Sequence, residues 1–237
     1  MELNDKAIDF NNKILWTLDF FGTEVWITQT IANTWIIMLI LILFAVAVRI
    51  ALRKWKKVPS GFQNAVEIMV EAFDNIVRKA AGEKFMGLGN WFFMVFAFVL
   101  VSTLSGIVGL RSPTADWATT FALAIATFVL IQYMGIRHRK GKYLKSFLEP
   151  NFVFLPLNLI GELARPVSLS FRLFGNELAG LIIMGLVYSL PIYLRFVIPA
   201  ALNVYFNVFT GVLQTYIFCV LSLTFIGSAA SSSADEM

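Results

Sequence analysis

The sequence predicts an all-α polytopic membrane protein with about five membrane helices, one interfacial amphipathic helix and a long, tilted C-terminal helical hairpin. Three observations carry that expectation. Hydrophobic residues fill 58% of the 237 positions, 23 of them phenylalanine, and mean hydropathy is +0.75. Charged residues make up only 14%, against roughly 25% in soluble domains. The charge that remains is clustered between uncharged runs, each long enough to span a bilayer, for which about 20 residues suffice.

Residues 25–48 carry no charge and form the first expected span. Arg49, Arg53, Lys54, Lys56 and Lys57 follow it, which by the positive-inside rule puts that end in the cytoplasm. The N-terminus, with Glu2, Asp5 and Asp9, is then outside, and it lacks the basic lead-in of a cleavable signal peptide. In residues 62–81, Val66, Met69, Val70, Phe73 and Val77 recur at helical spacing, while Glu67, Glu71, Asp74 and Arg78 fill other faces. This pattern fits an amphipathic helix at the cytoplasmic interface, or one packed on a partner subunit.

Residues 85–110 and 117–136 are the next two spans, separated by Arg111-Ser112-Pro113. Their short link suits the outer side, and Arg137, Arg139, Lys140, Lys142 and Lys145 return the chain to the cytoplasm. Residues 147–234 form the expected hairpin. Its first arm contains the charges Glu149, Glu162, Arg165, Arg172 and Glu177, and residues 196–234 contain none. A helix over that last run would be roughly 58 Å long, against about 30 Å of hydrocarbon. It must therefore tilt steeply or break, with Pro199 and Gly211 as the candidate break points. A turn near Leu190-Pro191 on the outer side leaves the C-terminus in the cytoplasm. With no repeat and no flexible linker, residues 1–237 read as a single membrane domain.

The composition also excludes several classes of function. The net charge of +4 comes from basic loops, so it reports topology rather than nucleic-acid binding. Cys219 is the only cysteine and His138 the only histidine, so neither an intrachain disulfide nor a histidine metal site is expected. No G-x-x-x-x-G-K-[ST] run is present, so no nucleotide site, cofactor or self-contained enzyme is expected.

Arg172 is the most informative residue. Arginine keeps its charge in proteins, and placing it at membrane depth costs at least about 2.5–3.5 kcal/mol. On a wheel of about 100° per residue, Arg165, Asn176, Asn158, Ser168, Gly161 and Ala179 all fall within about 40° of it. Glu162 lies at about 80° and Glu177 at about 140°. In the last segment Asn203, Asn207, Thr210 and Gln214 share about 60° of arc. Two polar stripes on membrane helices point to a hydrated, ion-related interface, or to interhelical hydrogen bonds that hold the hairpin together.

The run Arg165-Pro166-Val167-Ser168-Leu169-Ser170-Phe171-Arg172-Leu173-Phe174-Gly175-Asn176, followed by Ala179-Gly180, closely resembles subunit a of F-type ATP synthases. Leu213-Gln214-Thr215-Tyr216-Ile217-Phe218 resembles that family's last helix. The resemblance implies a stator subunit against a rotating ring of c-subunit proteolipids, held by peripheral-stalk b subunits, with two offset half-channels for H+ or Na+. It implies that Arg172 is the essential arginine and that Asn176 and Gln214 support it.

Many bacterial members carry an acid directly after the Ala-Gly pair and a histidine seven residues before the glutamine. Here those positions are Leu181 and Asn207. Glu177 is the expected substitute in the outer half-channel, with Asn203 and Asn207 offered from the facing helix. Glu162 is the cytoplasmic candidate, and Ser168 and Thr210 complete the set. The rival reading is a self-contained ion channel or secondary transporter, a class that often shows internal repeats. The expected location is a bacterial plasma membrane, with an organelle inner membrane as the alternative.

Overall fold

The computed structural model describes residues 14–20, 23–53, 61–148, 151–189 and 197–231. Five of its helical runs are long and apolar enough to cross a membrane: Gln29–Ala51, Glu83–Val108, Trp117–Arg139, Phe152–Tyr188 and Val197–Ala230. The turn expected near Leu190-Pro191 and the basic run at Lys54, Lys56 and Lys57 lie outside the described residues.

The chain is described first as a hairpin of two antiparallel strands, β1 (Ile14–Phe20) and β2 (Thr23–Thr28), with Thr17 opposite Trp26. The first helix, α1, is Gln29–Ala51. The uncharged run expected to open the first span at Val25 thus begins as strand. Lack of charge marks what a bilayer tolerates, whereas Val25, Trp26, Ile27 and Thr28 are β-branched or aromatic residues that favour strand when a partner strand is at hand. Of α1 only Thr30, Asn33 and Ile37 are buried, and the rest of its surface is apolar and uncovered. The Asn33 Nδ2 donates to the Arg111 carbonyl at 2.8 Å and pins the start of α1 to the link between the next two spans.

Helix α2 (Phe62–Ala81) is amphipathic, as its spacing predicts, with Gln63, Phe73 and Val77 as its buried residues. Phe73 and Val77 are buried against the core, while Phe62, Met69 and Val70 remain exposed. The second span joins a 3-10 turn (Glu83–Leu88), helix α3 (Gly89–Leu104) and a second 3-10 turn (Ser105–Val108). Helix α4 (Trp117–Arg139) is N-capped by Asp116, whose carboxylate accepts from the Ala118 N–H at 3.1 Å. The short α5 (Gly141–Ser146) follows, and then α6 (Leu155–Tyr188).

Pro166 sits inside α6 without ending it. Membrane helices tolerate such a proline when neighbouring helices compensate, and Pro166 is buried. The last run comprises α7 (Val197–Asn203), a π-helical segment (Val204–Thr210) and α8 (Gly211–Ala230). It breaks at neither Pro199 nor Gly211. Pro199 lies in the first turn of α7, where a missing N–H costs little, and the π segment ends just before Gly211. The α6 and α7–α8 runs, the latter 34 residues, are each on the order of 50 Å long. Neither can stand upright within about 30 Å of hydrocarbon.

The core is built around α8, which packs against α2, α3, α4 and α6. Among its buried residues, Phe218, Cys219, Leu223 and Ile226 face Phe73, Val77, Phe92, Val99, Ile131 and Leu173 from those neighbours. Helix α2 approaches most closely at Gly227. A Cβ there would fall 3.2 Å from both the Ala80 carbonyl oxygen and the Ala81 Cα, backbone atoms that cannot rotate away. Gly227→Ala is therefore expected to lower the thermal midpoint of the detergent-solubilised protein, an overpacking cost of about 1–3 kcal/mol. Gly161→Ala, where a Cβ meets nothing within 4 Å, is expected to leave it unchanged or slightly raised. Equal midpoints for the two variants would contradict the close α2–α8 approach.

Candidate functional site

Helix α6 has two contrasting faces. Pro166, Leu169, Ser170, Leu173, Glu177 and Gly180 are buried against the bundle. Gly161, Ala164, Ser168, Arg172, Gly175 and Ala179 are exposed. These six fall on one arc of about 80°, so Arg172 stands in a stripe of small residues that no other part of the described chain covers. Among the described residues Arg172 takes part in no ion pair or hydrogen bond. Asn176, one turn further on, is half-buried at the edge of this stripe.

Glu177 belongs to the opposite, buried face, and its residue is only 8% exposed. Its carboxylate accepts from the Thr114 hydroxyl at 3.2 Å and the Ser112 hydroxyl at 3.4 Å. Those two hydroxyls are 2.7 Å apart. The short link between α3 and α4 is thus a packed plug: Ser112, Pro113, Thr114 and Ala115 are all buried. Three oxygens converge there, about 7.5 Å along the axis of α6 from Arg172.

Neither Asn203 nor Asn207 hydrogen-bonds to Glu177 among the described residues. The Asn207 Nδ2 donates to Asn203 Oδ1 at 2.6 Å, a contact within one helical run. Asn207 also lies over Gly106, where a Cβ would fall 2.5 Å from its Oδ1. The Thr210 hydroxyl donates to the Tyr205 carbonyl five residues back, at 2.8 Å. The π segment adds a residue to the turn, so a uniform 100° wheel does not carry the phase of Asn203 through to Gln214. Gln214 is 9% exposed and its Nε2 has no hydrogen-bond partner among the described residues. Ser168 is exposed beside Arg172.

At the other end of α6, Glu162 is held in a network. Arg165 Nη1 lies 2.7 Å from Glu162 Oε1, with 32% and 13% side-chain exposure. Gln132 Nε2 of α4 donates to Glu162 Oε2 at 3.3 Å, and the Tyr143 hydroxyl of α5 donates to Gln132 Oε1 at 2.9 Å. Arg165 also lies over the Phe225 ring of α8, 5.0 Å from its centroid. Burial, and then the Glu162 carboxylate, push the Tyr143 hydroxyl above its ordinary range, so it remains a donor at neutral pH. Glu162 is consequently a tethered carboxylate, and Arg165 ties α6 to α4, α5 and α8.

Ser112, Thr114, Gln132 and Tyr143 were not singled out by the sequence. Neutral polar residues in a short link or at a helix end carry no periodic signal, and their partners lie far along the chain. Among the described residues no three His, Cys, Asp or Glu side chains are grouped so that they could hold a metal.

The family model for the ATP synthase A chain matches residues 31–227. The chain is 36% identical to ATP synthase subunit a 2 of Bradyrhizobium sp., over 92% of this chain and 96% of that protein. It is 32% identical to ATP synthase subunit a of Moorella thermoacetica, over 85% and 90%. It is 35% identical to ATP synthase subunit a 2 of Picosynechococcus sp., over 86% and 87%.

The Glu162–Arg165 pair generates a prediction about stability. Arg165→Gln strands a largely buried carboxylate, and breaking such a pair costs more than removing both charges. Arg165→Gln alone should therefore lower the thermal midpoint more than the Glu162→Gln, Arg165→Gln double variant does. Strictly additive losses in this double-mutant cycle would show that the two side chains are not coupled.

Proposed function

The chain belongs to the ATP synthase A chain family, and from that premise we propose that it is the stator subunit that guides ions past Arg172 and converts their flow into rotation of a c-ring. It is a non-catalytic subunit; nucleotide chemistry belongs to other parts of the complex. The observation that carries the reading is Arg172, exposed without a counter-ion among the described residues, in a stripe of small residues that the chain leaves uncovered.

A permanent cation in that position calls for a partner bearing negative charge, since leaving it against hydrocarbon costs several kcal/mol. A ring of c subunits, each with a membrane carboxylate, meets the requirement. A carboxylate facing lipid is stable only when its ion neutralises it. As it comes opposite Arg172 the fixed positive charge favours its ionised form, and the bound H+ or Na+ leaves. The same charge bars a cation from slipping directly between the two access routes. Gly161, Ala164, Ser168, Gly175 and Ala179 keep the stripe low, so that successive ring helices pass closely.

Glu177, Ser112 and Thr114 form the polar entrance of one half-channel. Their oxygens attract a cation into a low-dielectric passage, and Asn176 lies between Arg172 and Glu177 in sequence. Glu162 and its network flank the other half-channel. Gln214, whose Nε2 is buried and unmet among the described residues, is assigned the supporting polar role beside the ion path. Lipid and peripheral-stalk b subunits share the remaining apolar surface, including the bare side of α1. Each elementary charge that crosses 100 mV supplies about 2.3 kcal/mol, so several crossings accompany each ATP. The membrane is a bacterial plasma membrane, with the N-terminus outside and the C-terminus in the cytoplasm.

Arg172→Ala should abolish ion-driven ATP synthesis in an assembled complex, and Arg172→Lys should be severely impaired because lysine can shed its proton and lacks the guanidinium fork. Near-normal synthesis by assembled Arg172→Ala complex would sink this reading. Glu177→Gln should preserve coupling but slow ion uptake, with the largest loss of rate at low ion concentration. Passive conductance of the membrane sector across a range of ion concentrations tests this. An unchanged concentration dependence would remove Glu177 from the path.

A further inference from the structure

A second polar feature lies away from Arg172, where three spans end together. The cleft has a volume of about 710 Å³ and is formed by the start of the Glu83–Val108 run, the end of α4 and the end of α8. Lys84, Arg139, Lys140 and Lys142 line it, against a single carboxylate, Glu83. Glu83 already faces Arg78 at 3.6 Å, so the local field is positive. His138 completes the wall, with Nδ1 3.0 Å from the Met134 carbonyl oxygen and its ring 5.0 Å from that of Phe85.

Two details distinguish this cleft from a solvated basic loop. The Nε of Arg139 is buried and has no hydrogen-bond partner among the described residues. A buried donor left unmet costs free energy that an incoming acceptor recovers. Lys140 has φ of 50°, the only positive φ at a non-glycine among the described residues. Such strain is characteristic of ligand clamps, and the turn it makes redirects the chain after α4 so that Lys142 joins the same cleft.

We propose that this cleft binds a phosphoryl group, supplied by the headgroup of an anionic phospholipid. A guanidinium beside several ammonium groups suits phosphate oxygens, with the arginine giving directional hydrogen bonds and the lysines charge. The depth selects the source. Because the walls are the ends of membrane spans, the cleft opens at the level of the headgroups, and basic pockets between membrane helices are recurrent sites for them. The neighbouring ends of α4 and α8 present carbonyl oxygens, so the attraction depends on the basic side chains and not on the backbone.

The test uses the purified, assembled complex, stripped of lipid in a neutral detergent and titrated with fluorescent phosphatidylglycerol or with phosphatidylcholine of the same chain length. The expected result is a saturable phosphatidylglycerol site that phosphatidylcholine does not fill. The Arg139→Gln, Lys142→Gln double variant should weaken it about thirtyfold. Lys142→Gln alone, a change at an exposed residue that does not threaten folding, should weaken it about fivefold. Arg53→Gln, which removes a basic residue outside the cleft, should leave it unchanged. Equal binding of the two lipids, or unaltered affinity in both cleft variants, overturns the assignment. Full displacement by millimolar inorganic phosphate would overturn the lipid source and assign the cleft to soluble phosphate.

Discussion

Arg172 holds a charge that it cannot lose and that no described part of its own chain neutralises. Much of the architecture can be read as consistent with that constraint. The residues around it on α6 are small, so nothing of this chain shields it. The opposite face of α6 is packed firmly by Leu169, Leu173 and Gly180, and the Ser170 and Thr120 hydroxyls, 3.3 Å apart, join it to α4. Helix α6 is fastened on one side and bare on the other.

The fastening depends on α8. Its buried residues contact four other helices, and its glycine at 227 lets α2 lie almost backbone to backbone. The last span runs through the π segment just before α8 and keeps its excess length, so it must tilt. Wider π turns often mark functional sites in membrane and soluble helices alike. Here Asn207, within the π segment, bonds Asn203 and lies over Gly106, while Gln214 beyond it is buried.

The spans, their order and the two-faced character of α6 were legible because they rest on periodicity and charge, which a regular helix translates directly into geometry. The β-hairpin was not, since an uncharged run is compatible with strand as well as helix until its partner at Ile14–Phe20 is seen. The partners of Glu177 were hidden for a different reason. Ser112 and Thr114 lie 65 and 63 positions away in sequence, and nothing local to them signals a buried carboxylate. The contact of Asn203 with Asn207 is the ordinary i,i+4 neighbourhood of a helix and was legible, whereas the phase from Asn203 to Gln214 was obscured by the π segment. For Glu177 the missing information was tertiary, and it concerned neutral polar partners rather than charges.

The bare surface of α1 bears on the order in which the molecule is made. Its few fixed contacts reach the link at Arg111–Ala115 and the start of the bundle, which are synthesised only after α1 has left the ribosome. Until then α1 must reside in the bilayer as a solitary helix, without any tertiary support. Its hydropathy of 2.6 is the highest of the five spans, and that surplus suffices to hold it there while the remaining helices arrive. The later spans enter a membrane in which α1 is already in place, and the second span packs directly against it. The most featureless helix of the protein is therefore the one on which its biogenesis leans first.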